Sequence, residues 1–346
     1  MGARLVLALV LALAAEPALA AKATPLFSSD APIRATIRGP LGAIAATPAP
    51  ARTARPATLA LAVPAIEQHS ILLSPRGLTR RKKETCTFPP LRVEFPNKPA
   101  ETSLFDGQKR LKLVTHCRNA EGHQQHVLLE YAAYRMFNLI SPSGLRGRLG
   151  NFDYVEQDGK PVASRIGFFV EDPDDAAKRN GLQEYRTPSQ IRSTQLDAMA
   201  AARAALFEYM IGNTDWSMRS GPAGDVCCHN FRLFGATATA SGLTPVPYDF
   251  DQSGLVNAPY AVAAEQLHIN SVRERRYRGY CIHNAQALAA AAEFRAKRAE
   301  IVATLSAVPG LTERYRSGAV GYLDGFFRDI ATDADVTKRV LKTCIN

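Results

Sequence analysis

The sequence predicts an α+β protein in two lobes: a β-rich N-terminal lobe carrying one helix, then a mainly helical C-terminal lobe. Three observations lead there. Short runs of alternating polar and apolar residues crowd the first half. Longer runs with apolar residues at helical spacing fill the second. A polar, turn-rich stretch, 171–180, lies between them.

The elements follow in order. Residues 33–37 and 58–63 read as strands flanking 47–56, a segment rich in Ala, Pro, Arg and Thr that reads as a flexible loop. Residues 70–73, 91–95 and 111–115 are further strands, with a basic run at 76–83 among them. Leu129, Ala133, Met136 and Ile140 recur at helical spacing, and Ser141-Pro142-Ser143-Gly144 stops that helix. A second β section covers 145–170, with a hairpin turn at Asp158-Gly159. In the second half Leu196, Met199, Leu206, Phe207, Met210 and Ile211 mark one helix. Another covers 284–307, and a last one contains Val320, Leu323, Phe327 and Ile330. The irregular stretch 212–259, dense in Asn, Asp, Gly and Pro, interrupts them. The expected organisation is therefore 1–20, 21–171 as the β-rich lobe and 172–346 as the helical lobe, with catalytic or metal-binding loops at 212–259.

Residues 1–20 read as a cleavable signal peptide. Arg4 precedes an apolar run too short to span a bilayer, and Ala18-Leu19-Ala20 before Ala21 fits a signal-peptidase site. The expected location is periplasmic or extracellular, with no transmembrane segment after cleavage. Six cysteines in an exported chain predict disulfides, with Cys86–Cys117 and one of Cys227 or Cys228 with Cys281 as the expected pairs. The 346 residues carry a formal net charge of +10, which favours anionic partners. Nucleic acid is not among those expected, because the basic run lacks interleaved aromatics.

The chemistry concentrates in 212–259. Asp215 follows a long helix, Asn230 opens a short strand, and Asp249 and Asp251 end another. An Asp, an Asn and an Asp from consecutive loops suit phosphoryl transfer to a hydroxyl. One Asp takes or orients the acceptor's proton, and the other two groups are hard oxygen donors for Mg²⁺ beside nucleotide phosphates. The first half offers the complement. Lys112 sits in a strand and Glu130 in the next helix, the pairing that fixes an ammonium against phosphates. Each residue alone has a plainer reading: Asp-x-Asp as a solvated turn, Lys112 as an edge lysine, Glu130 as a surface glutamate, and His229 as a group that holds its loop.

Taken together, Arg76-Gly77, Phe88-Pro89-Pro90-Leu91-Arg92-Val93, Leu111-Lys112-Leu113, Phe169-Val170-Glu171, Gly212-Asn213-Thr214-Asp215-Trp216, His229-Asn230 and Pro247-Tyr248-Asp249-Phe250-Asp251 resemble an atypical protein-kinase-like group. That group includes the spore-coat protein H (CotH) kinases and, more distantly, the HipA-type kinases. The resemblance implies a two-lobed protein-kinase-like fold. It implies ATP or another nucleotide with Mg or Mn as cofactors, and a protein or envelope hydroxyl as acceptor. It also implies Lys112, with Glu130 as its partner, and Arg76 on the nucleotide, Asp215 as the catalytic Asp, and Asn230, Asp249 and Asp251 on the metal side. Two features depart from the pattern. Residues 216–229 form a far longer spacer than ordinary protein kinases have, and there is no Gly-rich phosphate loop; the hairpin with Arg80, Arg81 and Lys82 would have to do that work.

Two other expectations compete. One is a non-catalytic envelope or binding protein on a degenerate kinase-like scaffold. The other is a basic module that presents 76–83 and 273–278 to acidic polymers on one open face.

Overall fold

A computed structural model describes residues 22–222, 226–236 and 240–346. The proposed signal peptide, 1–20, lies outside the described residues.

The first half forms strands because its alternating residues have one side to bury. Ile33, Ala35 and Ile37 on β1 (Ile33–Arg38) point inward, while Arg34 and Arg38 point out. After the short helix α1 (Leu41–Ala45) come β2 (Arg55–Val63), β3 (Glu67–Pro75), β4 (Leu91–Glu94) and β5 (Arg110–Val114), each antiparallel to the one before. The long helix α2 (Glu121–Ile140) follows, then the hairpin β6 (Gly147–Val155) and β7 (Pro161–Val170), whose turn contains Gly159 at φ +93°. β7 pairs with β5, and β6 runs parallel to β1, with Ile33 opposite Gly150. The sheet thereby closes in the order β1-β2-β3-β4-β5-β7-β6.

The barrel interior is one apolar core that includes Leu59, Leu73, Leu91, Val93, Leu111, Leu113, Phe152 and Phe169. The neighbours of Phe169 face the other way. Phe168 and Val170 pack with α2, where Tyr131 and Tyr134 each meet the Phe168 ring at 5.5 Å between centroids. This second core continues into the rest of the chain. It takes in α3 (Pro173–Arg179), α4 (Ala198–Ile211), α5 (Asn284–Ala296), α6 (Arg298–Ser306) and α7 (Glu313–Asp329). A small antiparallel sheet stands beside them, with β9 (Phe231–Gly235) between β8 (Gln183–Tyr185) and β10 (Thr244–Pro247).

This architecture overturns the expected two-lobed protein-kinase-like fold. The strands of the first half form a closed seven-stranded barrel instead of the sheet of such a lobe, and they carry α1 as well as α2. The physical reason is the parallel β1–β6 pairing, a contact between segments far apart in sequence that local alternation cannot announce. Other differences are local. The polar stretch at 171–180 contains α3, whose start is readable in retrospect: Asp172 caps the amide of Asp174, and Pro173 stands at the first helical position. The long helix expected at 284–307 is two helices that meet at Lys297.

Three disulfides are present. Cys86–Cys117 forms as expected. Cys281, however, bonds Cys344, and Cys227 bonds Cys228. The chain's last residues return beside Tyr280, where the Cys281 amide donates to the Ile345 carbonyl and the Ile345 amide to that of Gly279. Nothing local in the sequence signals that return. No helix among the described residues is long and apolar enough to cross a membrane.

Candidate active site

Alternation on β5 aims Lys112. Leu111 and Leu113 enter the barrel core, so Lys112 points outward into a cleft beside the barrel, with its side chain only 10% exposed. Its ammonium lies 2.5 Å from Oδ1 of Asp249 and 5.5 Å above the Tyr248 ring. The expected ion pair with Glu130 is therefore replaced by one with Asp249. Glu130 is 2% exposed on the inner face of α2, and burial beside Asp251 pushes its carboxyl well above the ordinary range. One helical turn on, the Tyr134 hydroxyl accepts the Asp249 amide at 3.0 Å.

The register of β9 and β10 brings the next two residues together. Pro247 pairs with Phe231, so Tyr248 falls beside Asn230, and the Tyr248 amide donates to the Asn230 carbonyl at 3.0 Å. Asn230 and Asp249 sit at the same end of this hairpin. Both adopt left-handed backbone, φ 52° and 67°, a region that Asn and Asp enter more readily than most residues.

Asp215 arrives from the end of α4. Gly212 stops the helix at φ +67°, where a Cβ would collide with the Tyr322 hydroxyl. The Asn213 side chain then accepts the Asp215 amide at 3.0 Å. Arg278 fixes both sides of the residue, because one guanidinium nitrogen donates to the Thr214 and Trp216 carbonyls, each at 2.6 Å. The Asp215 carboxylate is also held. His229 Nε2 lies 2.8 Å from Oδ1, and Asn230 Nδ2 donates to Oδ2 at 3.1 Å. The hydrogen bond to Asp215 raises the His229 pKa. The Asn230 amide nitrogen is turned to Asp215, so its oxygen points elsewhere.

Asp251 sits deeper. Burial and neighbouring Asp249 push its carboxyl up to about 6, and Arg80 approaches it at 3.6 Å. Arg80 itself is buried and donates to the Thr115 carbonyl at 2.8 Å. Asp249 contrasts with Asp251. Burial opposes its charge, yet Lys112, Arg76 and Arg80 hold its carboxyl below the ordinary value, and 36% of its side chain remains exposed.

One cavity of about 430 Å³ collects Arg76, Arg80, Lys112, Asp215, His229, Asn230, Asp249 and Asp251. Glu130 does not line it and lies behind, in the wall; of Arg80, Arg81 and Lys82, expected to replace a phosphate loop, only Arg80 lines it, because Arg81 turns to the Thr47 and Pro48 carbonyls. A second cavity of about 300 Å³ adjoins the first, and Arg76, Lys112, Arg232 and Tyr248 line both. Leu111, Leu145, Val170 and the residues just after β7 also line the second.

Asn230 and Asp249 suit a hard divalent cation. They are oxygen donors beside a common cavity, and Asp249 is anionic and accessible. Asp251 fits less well, because its proton is retained more strongly and Arg80 already faces it. No cluster of three or more His, Cys, Asp or Glu side chains suited to a metal occurs among the described residues, so an amide such as Asn230 would have to contribute.

Sequence reasoning missed Arg232, Tyr134 and Arg278. Arg232 was the most readable. It lies two residues after Asn230 on a strand whose Phe231 and Leu233 are buried, so period-two alternation puts it on the Asn230 face. The basic face imagined from 76–83 and 273–278 is absent. Arg80 and Arg81 are buried, and Arg273, Arg275, Arg276 and Arg278 donate to main-chain carbonyls. The chain matches none of the known family models and none of the curated proteins, so the meaning of this cleft rests on its own chemistry.

Proposed function

We propose that this chain is a metal-dependent phosphotransferase that moves a phosphoryl group from a nucleotide to a hydroxyl of a protein or envelope polymer. The observation that carries the reading is the meeting of Lys112, Asp215, Asn230 and Asp249, delivered by separate elements, at one polar cavity. A divalent cation held by Asn230 and Asp249 would neutralise charge on the donor's phosphates. Lys112 adds a positive charge whose stem the protein has already ordered. Asp215 orients the acceptor hydroxyl and takes up its proton, once the hydroxyl replaces His229 at Oδ1. Three disulfides suit an oxidising compartment, and we place the activity outside the cytoplasm.

The test is calorimetric titration of ATP, with Mg²⁺ or Mn²⁺, into wild type and variants whose fold is checked by circular dichroism. Asp249→Ala should abolish metal-dependent binding. Asp215→Ala should spare binding and reduce transfer by about a hundredfold or more. Wild type that binds no nucleotide with either metal sinks the proposal.

A second reading has its own support. Both Asp215 oxygens are engaged by protein groups, and Asp249 engages Lys112. A cleft in that state can bind without turnover. Binding without transfer to any hydroxyl acceptor would favour it.

A further inference from the structure

Arg76 is the one cation of the cleft's waist whose presence the protein does not explain. It follows β3, is half-buried, and makes no ion pair or side-chain hydrogen bond among the described residues. Burial lowers its pKa, with Asp249 the largest opposing influence. A half-buried guanidinium has given up part of its hydration, and without a partner nothing in the protein repays that loss. Its neighbours do not supply that partner. Lys112 already takes Oδ1 of Asp249. Arg232, from β9, stacks on the Tyr248 ring at 5.1 Å and reaches only the edge of Glu184, at 3.6 Å. Arg76, Lys112 and Arg232 line both cavities, so three cations ring the passage between them.

The geometry points to a phosphate-chain seat at this waist, with Arg76 and Arg232 as its two arms. Guanidinium forks suit phosphate oxygens, and two forks from different elements can hold successive phosphates of one chain. The seat reads the phosphate chain itself, without nucleoside and without metal. The ligand class is therefore a linear oligophosphate, whether free or as the tail of a nucleotide. This deepens the proposed phosphotransferase reading, which needs a donor phosphate at the same place, yet it can stand or fall separately.

The experiment is calorimetric titration of inorganic tripolyphosphate and, in parallel, ATP, with EDTA present. Both are run on the full chain as wild type, Arg76→Gln, Arg232→Gln and Arg34→Gln. Arg34 is an exposed cation on β1 and controls for net charge. Wild type should bind both ligands, and each clamp variant should weaken both by about tenfold or more, while Arg34→Gln leaves them unchanged. Arg76→Lys, which keeps the charge but not the fork, should fall between wild type and Arg76→Gln; it also serves if Arg76→Gln fails to fold. Three outcomes overturn the seat: no tripolyphosphate binding by wild type, equal binding by wild type and the clamp variants, or ATP binding without tripolyphosphate binding. Loss of clamp-dependent binding with metal-dependent transfer intact removes the seat and leaves the phosphotransferase. Clamp-dependent binding with no transfer to any acceptor does the reverse.

Discussion

Two basic segments, 76–83 and 273–278, look alike in the sequence and are used in opposite ways. In the second, every arginine ends on a main-chain carbonyl. Arg273 reaches Gly254, Arg275 reaches Met210 and Tyr322, Arg276 reaches Leu267, and Arg278 reaches Thr214 and Trp216. In the first, Arg81 is used in that way, on Thr47 and Pro48, but Arg80 also faces Asp251 and Arg76 faces the cavity. The difference teaches how to read buried arginines. A guanidinium that finishes on carbonyls ties segments together. One that finishes on nothing, or on a carboxylate beside a cavity, is placed for a ligand.

The contrast can be broken by experiment. The largest expected effect concerns the anchor of the second segment. Cys281 bonds Cys344 across 63 residues, and replacing both by Ser should cost about 4 kcal/mol in urea unfolding. A loss below about 1 kcal/mol would show that the segment needs no such anchor. Next, Arg278→Leu should cost about 3 kcal/mol, because two buried carbonyls lose a charged donor.

A pH effect comes third, at a histidine that lies near Arg80 of the first segment. His116 is buried, stacked on Phe88 at 4.8 Å, and burial, with Arg165 and Arg80 nearby, lowers its pKa to about 3. The folded state therefore resists protonating a ring that the unfolded chain protonates near pH 6.5. Its contribution to stability is whole above that value and is lost as the pH falls toward 3. The expected slope is about 1.4 kcal/mol per pH unit within the window, and His116→Gln should flatten it. The smallest effect has the opposite sign to the Arg278 change. Arg76→Leu should leave stability unchanged or raise it by about 1 kcal/mol, since it removes an unpaired, half-buried charge. A large loss would mean that Arg76 is another structural tie.

How much of this was legible follows from the range of each interaction. The strands and helices were largely readable because burial acts at period two or 3.6: Leu111 and Leu113 go in, and Lys112 goes out. Asp215, Asn230 and Asp249 were readable as residue types in order, since each stands beside the end of an element, whereas Lys112 was readable from its place inside an alternating strand. What could not be read is pairing across the chain. Lys112 meets Asp249, 137 residues on, and Cys281 meets Cys344, because of where β10 and the last residues return. Barrel closure could not be read for the same reason, as β6 offers β1 no local mark.

That closure also has a consequence for how the chain is made. β1 has β2 on one side at once, but its other side waits for β6, which begins at Gly147. Until then its amides and carbonyls form an unclaimed edge, open to pairing with another nascent chain. Such distant contacts are slow to form, because a long loop must be ordered before they give anything back. The first hundred residues are thus the most vulnerable to aggregation during synthesis, and the arrival of β6 removes that hazard by leaving the barrel without an edge.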